Sequence, residues 1–580
     1  MKKFKIQIIL IGLLAITFSS CSDFFEPNND TILKGEDYIK EGGELYSGFL
    51  GIVTKVQAIG DKSIYLTDTR AEVLEPTEGA PAELVSLYNY EDDLTGNTYA
   101  DPAKYYDVII ACNDYLLKAK DYKDNHLNTI DEDDYKKLIS ATLRVKAWIY
   151  LTLGRIYGQA IWFDDPIQSM NDLADQTPEN LDGIINACDK LLNTGFDGVN
   201  GTFSSLSWGE WLNPASGATS TSDEYKRWDM MVPGYAPLQA EILLWKGDYE
   251  KAAKLLLGEM SKAYDLDEYK GNVAIVKLMR SGSYGTNFGE QYDSQNPVIS
   301  KTESVIRYDY QYNQQNSLLK HFDQNGSYML RASVPGVQRF SDVTFNPPSD
   351  GTATKTTDRR ANAFREVVKD EEYSVRKYRG FSKSGHTVAH DDVYIMIYHT
   401  ADFYFMAIEA LNNMGRYEPA SVLMNQGVDI FYLMGVELGE QWQGLNSNWN
   451  LWTTNHAGFR RTYADNGVRG VLGLGKRDIW QSSDDINADE EGLEGLTDEQ
   501  KIRKHNDIEL VKEAFLEFPC EGKTYPLMIR VAKRWNDYSI IARFVSEKYP
   551  DVAKQEEVKA KIMAGAYFVP WDLKSKASSH

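Results

Sequence analysis

Three stretches of this 580-residue chain carry residue types and spacings that could do chemistry, and each departs from the pattern its chemistry needs. From Gly470 through Gly475 and Lys476 to Arg477 the glycines and lysine are spaced as in a phosphate-binding loop. Such a loop holds phosphates on glycine backbone amides and magnesium on a Ser or Thr after the lysine. Arg477 stands in that last position, and no buried strand precedes the glycines. His386 and His390 stand four apart beside Asp391 and Asp392, a spacing that could offer two zinc ligands on one helix face. Thr387, however, takes the place of a metalloprotease glutamate, and Gly385 works against a helix through both histidines. The acidic stretch from Asp485 to Glu491 begins like a calcium loop, yet Glu490 occupies the position that requires glycine, and the twelfth residue is Leu496. No nucleophile elbow of the GxSxG type occurs. Paired carboxylates for glycoside hydrolysis are defined by their separation in space, which a sequence does not give. The expectation is a protein without catalytic residues, metal or cofactor.

A different chemistry is better represented. The chain has 36 tyrosines and 12 tryptophans, and an aromatic face flanked by amides and charges can stack on the C–H face of a sugar ring. Loop placement and polar neighbours select Tyr88, Asn89 and Tyr90 with Arg70, and then Trp208, Trp211, Trp228 and Tyr284, as candidate ligand-binding residues. Tyr308, Tyr310 and Tyr312 alternate at period two and read as a strand face packed on helices. Trp442, Trp449 and Trp452, among Asn446, Asn448 and Asn450, suit contact with a protein partner equally well.

The elements that must position these residues are mainly helices. Apolar residues recur at helical spacing over 105–120, 135–157, 181–192, 237–260, 393–414 and 509–518. Gly247 and Gly415 interrupt the pattern where a helix C-terminus favours positive φ, and an aromatic residue and an alanine then resume it. These are helical hairpins of tetratricopeptide type. The expected fold is mainly α, a tetratricopeptide-like scaffold with a few short strands and long loop-rich insertions near 60–100, 195–230, 280–390 and 440–500.

The N-terminus reads as an export signal. Lys2, Lys3 and Lys5 precede an apolar run from Ile6 to Phe18, too short to span a bilayer, followed by Ser19, Ser20 and Cys21. The expectation is a lipoprotein signal over residues 1–20, lipidation at Cys21, and one domain over 21–580. Cys112, Cys188 and Cys520 are odd in number and widely spaced, and they read as core thiols. The net charge of −23 becomes about −26 once the three signal lysines are removed, which argues against nucleic acid as a ligand.

Several segments taken in order resemble the SusD/RagB family of outer-membrane nutrient-binding lipoproteins. Ser22 to Phe25 is similar to the family's acidic-aromatic opening, and Tyr106 to Asn113 to its first helix. Val145 to Gly158, followed by Pro166, resembles its leucine-arginine-alanine helix. Ala240 to Ala252 resembles its middle repeat, and Glu303 to Ile306 the strand that follows. Asp358, Arg359, Arg360, Lys377 and Tyr378 have counterparts in related chains. Ala401 to Asn412 is the most specific element, and Glu513 to Arg530 is similar to the closing helix and its glutamate-glycine turn. His399 stands where an arginine is usual, so the ion pair of that arginine does not carry over.

The resemblance implies a cell-surface protein of a Bacteroidetes-type bacterium, anchored by lipid in the outer membrane. It would bind an oligosaccharide or polysaccharide and deliver it to a SusC-like TonB-dependent transporter, without being an enzyme. The resemblance also puts the early insertion with Arg70, Tyr88, Asn89 and Tyr90 first among the candidate ligand contacts. Two other roles compete with it: an interaction subunit of the transporter that binds no glycan, and a surface glycosidase.

Overall fold

The structure is a computed structural model that describes residues 42–571, apart from 127–129, 168–175, 205–231, 263–303, 307–316, 342, 346–353, 357, 380–394, 426, 428–444, 446–448, 450–466 and 471–474. Helices dominate. In chain order they include α1 (Gly42–Gln57), α2 (Gly60–Asp68), α3 (Ala82–Tyr88), α4 (Ala103–Asn125), α5 (Glu132–Tyr157), α6 (Leu181–Thr194), α7 (Tyr235–Lys246) and α8 (Tyr249–Lys262). The second half adds α9 (Thr400–Asn413), α10 (Tyr417–Asn425), α11 (Asp498–Glu517), α12 (Thr524–Trp535), α13 (Ser539–Ser546) and α14 (Val552–Met563).

Successive helices pack as hairpins: α4 on α5, α5 on α6, α6 on α7, α7 on α8, α9 on α10, and α11 through α14 in sequence, with α9 also packed on α8 and α11. Gly247 and Gly415, at φ of 77° and 71°, make the two turns that the sequence marks. The central helix α5 starts on Asp131, whose carboxylate accepts from the amides of Asp133 and Asp134. Its last two turns are buried on almost every side, which explains why this stretch reads as nearly continuous apolar sequence.

A small antiparallel sheet sits against this scaffold. Its strands are β1 (Leu74–Pro76), β3 (Leu330–Ala332), β4 (Phe364–Val368) and β5 (Glu372–Val375), in the order β1-β3-β5-β4. Glu75 lies opposite Arg331 in the β1–β3 register, and the two side chains pair at 2.6 Å. A second ladder joins β2 (Ser304–Ile306) to β6 (Ile395–Tyr398). The sequence reading put 393–414 in one helix. In the structure β6 precedes the helix, because His399 is extended and Asp402 accepts its backbone N–H at 2.7 Å to start α9 one residue later.

Charge is carried into the core in closed networks. Glu409 on α9 accepts from Arg530 Nε at 2.8 Å and Nη2 at 2.6 Å, and also from Arg534, both on α12. Arg534 continues to Asp507 on α11 at 2.8 Å. Arg360 is wholly buried between Asp358, Glu513 and Glu517 at 2.7 to 2.9 Å. The segment 568–571 packs on the end of α5. Val569 N–H donates to Ile156 O, Gln159 reaches Trp571 O, and Gly158 at the end of α5 lies so close to Phe568 that a Cβ there would sit 2.4 Å from its ring.

Candidate functional site

A small cleft lies where α2, the C-terminal half of α5, β6 and the Glu521–Lys523 turn converge. Trp148, Thr152 and Arg155 line it from α5, and their i, i+4, i+7 spacing puts them on one helix face. Ile64 and Ile395 to Ile397 form apolar walls, while Thr67, Glu521 and Lys523 bring polar groups to the opposite side. Each charge there is already partnered. Arg155 pairs with Glu241 at 2.9 Å, and Lys523 with Asp402 at 2.6 Å and Glu521 at 3.3 Å. Glu521 is also held by Lys377 and, at 2.9 Å, by His399 Nε2. The histidine thus supplies to Glu521 a partner of the kind that the sequence comparison left open.

The electrostatics of this cleft suit holding a ligand rather than proton transfer. Burial pushes the Glu521 carboxyl up, but Lys377, His399 and Lys523 outweigh it and hold the group well below the ordinary carboxylate range. Burial likewise lowers the Lys523 ammonium, and Asp402 and Glu521 outweigh it and raise it. Neither group exchanges protons readily near neutral pH. Among the described residues the carboxyls pushed upward are Asp68 and Glu72, raised chiefly by burial, and both are closed off from solvent.

The structure separates the early-insertion candidates. Arg70 is 1% exposed and Tyr90 1% exposed, so neither presents a surface to a ligand. Arg70 stacks over the Tyr90 ring at 4.0 Å, donates from Nη2 to Phe568 O at 3.1 Å and also bonds Ala566 O. The Tyr90 hydroxyl turns back to Arg70 O and reaches the Tyr525 hydroxyl at 3.1 Å. These side chains lock the C-terminal segment onto the scaffold, which is a physical reason to move them from the ligand set to the core. Tyr88 and Asn89 are half-buried at the end of α3. One side of Tyr88 is taken by Tyr549, at 4.6 Å between ring centroids, and Asn89 O accepts from Lys561 Nζ at 3.2 Å.

Trp208, Trp211, Trp228 and Tyr284 lie outside the described residues, as do Cys21, Tyr308, Tyr310, Tyr312, Trp442, Trp452, His386 and His390. Trp449 is half-buried against the main core. Of the loop that resembles a phosphate site, Arg477 is committed to Glu513 and Glu509, the latter at 3.2 Å, and Arg469 to Gly475 O at 2.7 Å. In the calcium-like stretch, Asp485 caps the amides of Gln481 and Ser482, Asn487 accepts from Asp489 N–H, and Glu490 is held by His505.

The sequence reading did not single out Trp148, Thr152, Arg155 or Lys523. The three α5 residues carried a usable signal, polar and aromatic side chains at helical spacing inside an otherwise apolar run. Lys523 carried none, because what makes it notable is its approach to Asp402, 121 positions away.

A helical-hairpin scaffold with a small antiparallel sheet, closed by a C-terminal segment packed on the end of α5, defines the architecture. It is the fold of the SusD superfamily. A SusD superfamily protein from Bacteroides vulgatus superposes with a TM-score of 0.57 at 13% identity, over 91% of this chain and 97% of that one. A SusD superfamily protein from Bacteroides thetaiotaomicron gives 0.51 at 13% identity, over 91% and 98%. NanU of B. fragilis gives 0.50 at 15% identity, over 89% and 92%. No family model matches the sequence, and no curated protein matches it.

Proposed function

We propose that this chain is a lipid-anchored protein of the outer-membrane surface that captures an oligosaccharide and hands it to a SusC-like TonB-dependent transporter. The observation that supports the reading is the SusD-type fold, shared over most of both chains: the superposition with the B. vulgatus protein spans 91% of this chain and 97% of the other. The N-terminal sequence supports the anchor, with residues 1–20 as a lipoprotein signal, Cys21 as the lipidated residue and 21–580 as one domain. Binding rather than turnover fits the paired charges of the cleft, where the carboxyl is held ionised. The ligand surface would be built from Tyr88 with Asn89, half-buried at the end of α3, together with Trp208, Trp211, Trp228 and Tyr284.

The test is affinity electrophoresis of the mature chain through gels containing a panel of polysaccharides, with Tyr88→Ala and Trp208→Ala/Trp211→Ala alongside. Retardation by one glycan that weakens at least ten-fold in either variant is the expected result. No retardation by any glycan, together with co-purification with the transporter, would replace the reading with that of an interaction subunit. Release of reducing sugar would replace it with that of a glycosidase.

A further inference from the structure

The loop that follows α5 is fixed by side chains on both sides of one tryptophan. Ile161 N–H donates to the Tyr106 hydroxyl at 2.9 Å, and Phe163 N–H to the Tyr150 hydroxyl at 3.0 Å. Asn113 Nδ2 donates to Phe163 O at 3.1 Å and Asp165 O at 3.4 Å, so α4 and α5 together hold 161–165 in place. Burial alternates along this stretch. Ile161 and Phe163 are 1% and 5% exposed, while Trp162 is half-buried and Asp164 exposed. An outward position in extended chain ordinarily takes a polar residue, and here it takes a tryptophan.

Trp162 is seated as a platform. One face of the indole stacks on the buried Tyr150 ring, 4.0 Å between centroids and 23° from parallel. Lys146 Nζ, 5.5 Å from the indole centroid, belongs to a side chain that is 2% exposed, so it too lies on the inner side. What remains open is the opposite face and its rim. At the rim the indole N–H donates to one oxygen of Asp164 at 3.3 Å, and Lys146 donates to the other at 2.7 Å. These two bonds orient a carboxylate that is still 68% exposed and keeps lone pairs for further donors.

An apolar ring face bordered by an oriented acceptor matches a pyranose, whose C–H groups stack on the ring while a hydroxyl donates to the acid. Lys190 on α6, exposed and within electrostatic reach of Asp164, disfavours a cationic ligand, and the Asp164 and Asp165 carboxylates disfavour an anionic one. We propose that Trp162 and Asp164 form a stacking subsite for an uncharged pyranose unit of a glycan. The subsite rests on the glycan-capture reading above, and it is distinct from the surface at Tyr88, which is held by Tyr549. Because the loop is already fixed, a sugar that binds there has little backbone left to order.

The test is hydroxyl-radical footprinting of the mature chain, read at Trp162 by mass spectrometry and normalised to the exposed Met563. It is run alone and with amylopectin, xyloglucan, galactomannan, laminarin or the anionic polygalacturonate, alongside gel retardation by the same polysaccharides. The expected result is loss of Trp162 oxidation with a neutral polysaccharide that retards the chain and none with polygalacturonate. Trp162→Ala should weaken that retardation about five-fold or more; where this variant disturbs folding, the wild-type footprint still decides. Retardation by a neutral polysaccharide with Trp162 oxidised as fast as before, or equal protection by polygalacturonate, would overturn the subsite and leave the capture reading standing. Retardation by none of them would overturn both.

Discussion

Glu409→Gln removes one negative charge from the middle of a buried network while keeping the size and shape of the side chain. Burial pushes the Glu409 carboxyl up, but the guanidinium groups of Arg530 and then Arg534 outweigh it and hold the group at about 2 instead of 4.5. That difference corresponds to roughly 3 kcal/mol of preferential stabilisation of the folded state. A second route gives the same size, since removing one partner of a buried ion pair costs about 3–5 kcal/mol through the charges left behind. Here the guanidinium groups left behind would be Arg530, at 2.6 Å, and Arg534, which keeps Asp507 at 2.8 Å. The sign follows from the lowered carboxyl: its contribution is present above about pH 4.5 and disappears as pH falls toward 2. Guanidinium unfolding should therefore place the variant about 3 kcal/mol below the wild type at pH 7, with the gap closing below pH 4.5. A cost under about 1 kcal/mol at pH 7, or a gap that persists at low pH, would refute the view that this ion pair holds α9 to α12.

Lys548 gives a pH dependence of the same sign in a more alkaline window. Burial lowers its ammonium to about 7, so folding expels a proton and stability should rise with pH between about 7 and 10.5; Lys548→Met should lose that rise in a thermal-unfolding series. Gly158→Ala should cost about 1–3 kcal/mol, because φ is +70° and a Cβ would meet Phe568 at 2.4 Å, whereas Gly51→Ala on α1, with open space around it, should be neutral or better by melting temperature. Arg70→Met should lower the melting temperature without weakening glycan binding, since the guanidinium bonds Phe568 O and is buried; a binding loss with unchanged stability would return Arg70 to the ligand surface.

Much of the scaffold is readable from residue pattern. The helices at 103–125, 132–157 and 181–194 and the 235–262 hairpin follow apolar periodicity closely, and glycines mark the turns where positive φ is needed. Ile395 to Tyr398 defeated that reading because four buried residues run directly into the apolar face of α9, and a short continuous run has no period of its own. The C-terminal helices α12 to α14 were harder to see, because α13 is only eight residues long and charged residues interrupt its neighbours. Arg70 and Tyr90 looked like exposed polar loop residues because nothing local announces the partner that covers them. That partner lies 498 positions downstream at Phe568, and such contacts leave no mark in a single sequence.

The same long reach from Arg70 bears on how the protein is made. Arg70 and the end of α5 are completed by residues 566–571, which are synthesised after every helix named above. Until those residues emerge, the Arg70 guanidinium lacks its acceptors Ala566 O and Phe568 O, and the Tyr525 hydroxyl lacks Tyr567 O. A chain that stopped before residue 566 would carry every helix named above and still lack these bonds.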